Sequence, residues 1–253
     1  MPTQDDHTLR IGTCVLGPRP RVVVALRAGA VRAEVEQALA AGADIIELRA
    51  DLFPSPSPET VAEECARFEG IPRLLTVRSA AEGGGWNAGG EERLACILAG
   101  LPHAEAVDVE LSSADILARV VAAARASGKT VIGSFHDFSD TPGTPALEAV
   151  AAAADRAGVD ILKIAATCNT AEDFRRLAQF TLSRAPRPVA VMGMGSAGMP
   201  SRIFFPSLGS LLTYTFLGEP SAPGQLNCRD TVKYINLFYG SPASPEGGGH
   251  GHT

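Results

Sequence analysis

Four short apolar runs each carry two polar side chains spaced two apart: Glu47 and Arg49, Thr76 and Arg78, Asp108 and Glu110, Ser134 and His136. A fifth run, ILKIA, holds Lys163 alone. Residues two apart on a strand point to the same face, so each run aims its polar groups at one surface. A lysine among aliphatic neighbours must be paired or neutralised. A neutral amine is a nucleophile able to form an imine with a carbonyl compound. Imidazole titrates near neutral pH, which suits His136 to move protons. Downstream, VMGMGSAGMPSR from Val191 to Arg202 is rich in glycine. Its backbone N–H groups can face an anion, and Arg202 can grip a carboxylate or phosphate bidentately.

Each residue taken alone also has an ordinary structural explanation. Arg49, Arg78, Asp108 and Glu110 can form an ion-pair network, Lys163 can snorkel from a strand end, and His136 can be a satisfied structural histidine. Two rival functions use the same residues. One is a metal-dependent sugar isomerase or lyase with Glu47, Asp108, Glu110 and His136 as ligands. The other is a catalytically silent barrel serving as a binding subunit, against which stands the joint presence of Lys163, His136 and Arg202.

The elements that must position these groups follow a period. β-rich runs start at Arg21, Asp44, Arg73, Glu105, Lys129, Asp160, Pro188 and Leu212, each followed by a stretch of helical character. Alternation of strand and helix implies a parallel sheet, because parallel neighbours need a crossover. Eight units in 253 residues suit a closed (β/α)8 TIM barrel in a single domain. An open nucleotide-binding sheet would show GxGxxG after its first strand, where this chain has RAGAVRAE. AGADIIELRA (41–50) echoes AGVDILKIAA (157–166), the pattern half-barrel duplication would leave. Residues 1–20 are expected to close the barrel base, with 9–16 as a short extra strand. The barrel itself covers 21–240, and 241–253 read as a flexible tail, in which His250 and His252 are solvated.

Composition narrows the function. With 45% hydrophobic residues and a mean hydropathy of +0.10 the chain can bury a core, and its net charge of −6 argues against a nucleic-acid footprint. No apolar run reaches the length of a membrane span, and MPTQDDHTLR lacks the features of a signal peptide, so a cytoplasmic location is expected. The cysteines at 14, 65, 96, 168 and 228 have no paired ligand spacing and read as reduced thiols.

From Val22 to Phe238 the chain resembles type I 3-dehydroquinate dehydratases. The resemblance runs through ELRADLF (47–53), TVRSAAEGG (76–84), VDVEL (107–111), GSFHDFSDTP (133–142), DILKIA (160–165), MGMGSAGMPSR (192–202) and SAPGQLN (221–227). It implies dehydration of 3-dehydroquinate through a lysine Schiff base in the shikimate pathway, with no metal or organic cofactor and commonly as a homodimer. Lys163 would form the imine, His136 would be general acid and base, and Glu47 would orient the imidazole. Arg202 would hold the substrate carboxylate. Arg49 and Arg78 would contact hydroxyls or order carboxylates, Met192 and Met194 would line the site, and Ser221, Ala222 and Gln225 would belong to a covering loop. Two departures are visible: Ala25 where many members carry serine, and Tyr214, also placed at the site, where the family often has phenylalanine.

Overall fold

The computed structural model describes residues 8–17, 19–218 and 222–241. A small antiparallel hairpin, β1 (Arg10–Ile11) and β2 (Cys14–Val15), precedes eight parallel strands. These are β3 (Arg21–Leu26), β4 (Ile45–Arg49), β5 (Arg73–Thr76), β6 (Ala106–Glu110), β7 (Thr130–Asp137), β8 (Ile161–Thr167), β9 (Val189–Met194) and β10 (Leu212–Phe216). From β3 to β9 each strand pairs in parallel with the next in the chain, and β10 pairs in parallel with β3. Between β9 and β10 the ladder is reduced to one bridge, Val189 with Ser210, where Leu211 N donates to Val189 O at 2.8 Å. The result is a nearly closed (β/α)8 barrel, as the period implies.

Helices α1 (Arg32–Ala41), α2 (Pro58–Ala66), α3 (Gly90–Gly100), α4 (Leu117–Ala126), α5 (Thr144–Ala157) and α6 (Ala171–Ser183) follow β3 to β8 in turn. After β9 the chain makes two short turns, α7 (Gly195–Gly198) and α8 (Ser201–Phe204), and α9 (Cys228–Tyr239) follows β10. Side chains set the helix starts. Ser57 accepts from Thr60 N ahead of α2, and Thr170 and Asp173 form a reciprocal capping box on α6.

Strand alternation sorts the core into two shells. Val22, Val24, Ile46, Leu48, Leu75, Val107 and Val109 pack outward against helices. Val23, Ile45, Leu74, Ala106, Ile132, Ile161 and Leu212 pack inward at the base, where Ile11 and Leu16 of the hairpin segment join them. The extra strand expected over 9–16 is therefore a two-stranded turn, folded back at Gly12 in the left-handed region (φ +56°). One residue pair further along each strand the interior becomes polar, and there the site begins.

Candidate active site

Ladder register places Thr76 opposite Asp108, and Ser134 between Glu110 and Lys163 on its two flanking strands. Together with Glu47 they form an inward layer of polar side chains, all buried. A buried charge must be paired, and Lys163 is paired closely. Its Nζ lies 2.9 Å from Asp108 Oδ2 and 3.7 Å from Glu47 Oε1, and 4.1 Å from the centre of the Tyr214 ring, a cation–π contact. Asp108 accepts from Ser134 Oγ at 2.6 Å and pairs with Arg78 at 2.7 Å. Burial alone would raise the Asp108 carboxyl; Arg78 and Lys163 outweigh it and hold the group well below the usual carboxylate range. Glu47 accepts from Thr76 Oγ1 at 2.8 Å.

The arginines are anchored by carboxylates. Arg49 makes a bidentate pair with Asp51, at 2.9 and 2.7 Å, and Gly85 N donates to the same carboxylate. Arg78 bridges Asp108 to Glu110, and Glu110 pairs further with Arg93 from α3. The sequence pattern extends the third barrel strand to Arg78, yet β5 ends at Thr76. Beyond it the chain turns back on itself, with Trp86 N donating to Arg78 O and Ala80 N to Trp86 O. A Cβ at Gly84 would collide with the Arg78 carbonyl, which is why glycine occupies that point of the turn.

This turn corrects one assignment. The resemblance gave Glu47 the task of orienting the imidazole, but His136 Nδ1 lies 2.9 Å from Glu82 Oε2, and His136 N donates to the same oxygen at 3.0 Å. Glu47 is engaged instead with Thr76 and Lys163. Ser112 Oγ donates to the other Glu82 oxygen at 2.5 Å. Burial pushes the Glu82 carboxyl up to about 7. Burial, with Arg78 and Lys163 nearby, drives the His136 imidazole well below its ordinary range. An ionised Glu82 draws the ring proton to Nδ1, which leaves Nε2 as the nitrogen available to a ligand. Glu82, Asp51 and Arg93 sit on turns and a helix, outside the strand pattern that marks the other polar residues; the motif TVRSAAEGG contains Glu82 without marking its role.

Arg202, on α8, is buried at the cavity wall. Its Nε donates to Gly224 O at 2.9 Å, and its other nitrogens reach Tyr214 O at 3.3 Å and Pro223 O at 3.4 Å. Among the described residues no carboxylate forms an ion pair with it, and burial lowers its guanidinium to about 10. A buried cation held by carbonyl oxygens and the Met192 sulfur, with no counter-ion among the described residues, is set to receive an anion. Met192, Met194, Ala222 and Gln225 line the same cavity, and Ala222 N donates to Gln225 Oε1. Ser221 lies outside the described residues, and Ala25 is buried on β3 opposite Glu47.

These groups surround one cavity, lined by Lys163, His136, Glu82, Arg49, Arg78 and Arg202 among others. It combines an amine beside a fixed carboxylate, an imidazole with one nitrogen to spare and an anion-binding guanidinium, the requirements for proton transfer next to a carbonyl carbon held as an imine. The carboxylates that the metal reading would use are each engaged by cations or hydroxyls, and among the described residues no three His, Cys, Asp or Glu side chains group to hold an ion.

Known proteins resemble this chain in sequence and in fold. The family model for type I 3-dehydroquinase matches residues 22–242. The 3-dehydroquinate dehydratase of Thermodesulfovibrio yellowstonii is 36% identical over 200 residues, covering 78% of this chain and 86% of that protein. That of Methanococcoides burtonii is 33% identical over 234 residues, covering 91% and 99%. Among solved structures, the 3-dehydroquinate dehydratase of Geobacillus kaustophilus superposes with a TM-score of 0.83 at 27% identity, over 90% of this chain and 95% of that one. The type I enzyme of Clostridium difficile, solved with covalently modified comenic acid, gives 0.80 at 26% identity over 91% and 97%.

Proposed function

The chain belongs to the type I 3-dehydroquinase family and acts as its hydro-lyase on 3-dehydroquinate in the shikimate pathway; from that premise we propose how its residues divide the reaction. Lys163 adds to the ketone carbon and water is lost, giving a protonated imine. The imine withdraws electrons from the adjacent carbon, so His136 Nε2, a base of modest strength, removes a proton there and an enamine forms. The same imidazole, now protonated, returns that proton to the departing hydroxyl, which leaves as water as the double bond forms. Hydrolysis then releases 3-dehydroshikimate and restores the amine.

Glu82 holds the imidazole and Asp108 serves as counter-ion to Lys163 and to the iminium that replaces it. Arg202 receives the substrate carboxylate, Arg49 and Arg78 face its hydroxyls, and Met192, Met194 and Tyr214 enclose the ring. Residues 220–227, with Ser221, Ala222 and Gln225, act as a covering loop. We further propose that the chain works in the cytoplasm and, as the family resemblance implies, as a homodimer. No helix among the described residues is long and apolar enough to cross a membrane.

The observation that carries this reading is the buried Lys163 amine at 2.9 Å from Asp108 in the cavity that also holds His136 and Arg202. Borohydride added with substrate should inactivate the protein irreversibly and leave a reduced adduct on Lys163, located by mass spectrometry. An adduct on Lys129 or Lys233, or none, removes the Schiff base from the proposal.

A further inference from the structure

Three buried side-chain polar atoms have no hydrogen-bond partner among the described residues: Arg19 Nε, Arg184 Nε and Tyr214 Oη. The two guanidinium atoms belong to groups paired through their other nitrogens, with Asp44 for Arg19 and with Glu148 and Asp155 for Arg184. Tyr214 has no such second contact for its hydroxyl. It is also the one of the three that lines the active cavity.

A buried hydroxyl without a partner is costly, and such groups are retained where a ligand satisfies them. The position of this one restricts the ligand atom. The Tyr214 ring is 96% buried and covers Lys163 Nζ at 4.1 Å from its centre. A carbon that bonds to Nζ therefore sits next to this ring. Burial, with Glu47 and Asp108 nearby, keeps the phenol protonated well above its ordinary range, so Oη acts as a donor.

Resting on the imine reading above, we propose that Tyr214 Oη donates a hydrogen bond to the oxygen of the carbon that Lys163 attacks, the ketone oxygen first and the carbinolamine hydroxyl afterwards. As the N–C bond forms, the C=O electron pair moves onto that oxygen, and Oη stabilises the charge gathering there. The oxygen then leaves as water when the C–O bond breaks and the nitrogen lone pair closes C=N. Starting from the ammonium, both hydrogens of that water come from Lys163 and the third stays on the iminium nitrogen. Tyr214 keeps its own proton throughout. Its action is thus confined to making and unmaking the imine, and the later elimination proceeds without it.

Tyr214→Phe tests this, since it keeps the ring over Nζ and removes only the hydroxyl. Rapid mixing with substrate followed by a borohydride quench reads adduct formation at Lys163, and exchange of the substrate's α-proton with deuterated water from a preformed adduct reads the later step. Adduct formation should slow about tenfold in the variant, with α-proton exchange within twofold of the parent and a melting temperature at or above the parent's. Adduct formation at the parental rate overturns the role of Oη, and so does an equal slowing of both steps. If the parent itself forms no adduct at Lys163, the imine reading fails first, and that control separates the two.

Discussion

Glu82 binds His136 twice, its Oε2 accepting from the backbone amide at 3.0 Å and lying 2.9 Å from Nδ1 of the ring. A single oxygen therefore fixes both where the imidazole stands and which of its nitrogens faces the ligand. The pair also predicts a pH response. The Glu82 carboxyl is pushed up to about 7, so the ionised form that holds the proton on Nδ1 is lost as pH falls through about 7, and kcat/KM should fall with it. In Glu82→Gln the limb near 7 should move to lower pH, towards the depressed titration of His136, at a plateau lowered about tenfold or more. A profile in the variant that keeps its limb at 7 would assign that titration to another group.

The same shift has a stability sign. A carboxyl raised from 4.5 to about 7 contributes stability that is fully present below the unfolded value and lost as pH rises through about 7. The parent should therefore lose melting temperature between pH 5 and 8 relative to Glu82→Gln, whose amide does not titrate. Parallel melting curves across that range would contradict the shift.

His136→Ala should lower turnover about a hundredfold or more, the range for losing a general acid and base, while borohydride still traps an adduct on Lys163. Parental turnover across neutral pH would make the residue structural.

Asp108→Asn removes the counter-ion of both Arg78 and Lys163 in a fully buried place. Breaking such a pair costs about 3–5 kcal/mol, readable by denaturant unfolding. Asp108 is held low by its cations, so its stabilisation is present at neutral pH and lost as pH falls through that depressed value. An unchanged unfolding midpoint would mean that the two cations find other partners.

For Arg202→Ala the expectation is a KM raised about 10- to 100-fold, the worth of a charge-assisted hydrogen bond to the substrate carboxylate. Because Arg202 also ties to Gly224 and Pro223, hydrogen exchange in 220–227 should quicken. In the parent, saturating product should slow it. Exchange in that segment indifferent to both changes would dismiss a covering loop.

Much of this was legible because a parallel barrel strand, buried on both faces, reads as an aliphatic run, and polar residues inside such a run stand out. The echo between 41–50 and 157–166 even aligned Glu47 with Lys163, whose side chains come to 3.7 Å across the barrel. The partner of His136 was not legible, because Glu82 reaches it from a turn built on Gly83 and Gly84, where neither strand nor helix period applies. Arg93 comes from a helix otherwise packed outward, and its tie to Glu110 depends on how α3 lies against the barrel. The unpartnered Tyr214 hydroxyl follows from tertiary packing alone.

The hairpin under the barrel has a consequence for traffic. Ile11 and Leu16 pack against Val23, Ile45, Leu74 and Leu212, so among the described residues apolar side chains fill the base of the barrel and leave the C-terminal rim as the doorway. Substrate enters and product departs by the same route, which makes each visit exclusive: the next molecule waits until the last has gone. Water obeys the same rule. In the imine mechanism proposed above, one molecule is shed when the imine forms and another at elimination, and one must be at hand to cut the product free. A loop that shut the doorway completely would keep the shed water inside as the reagent for release.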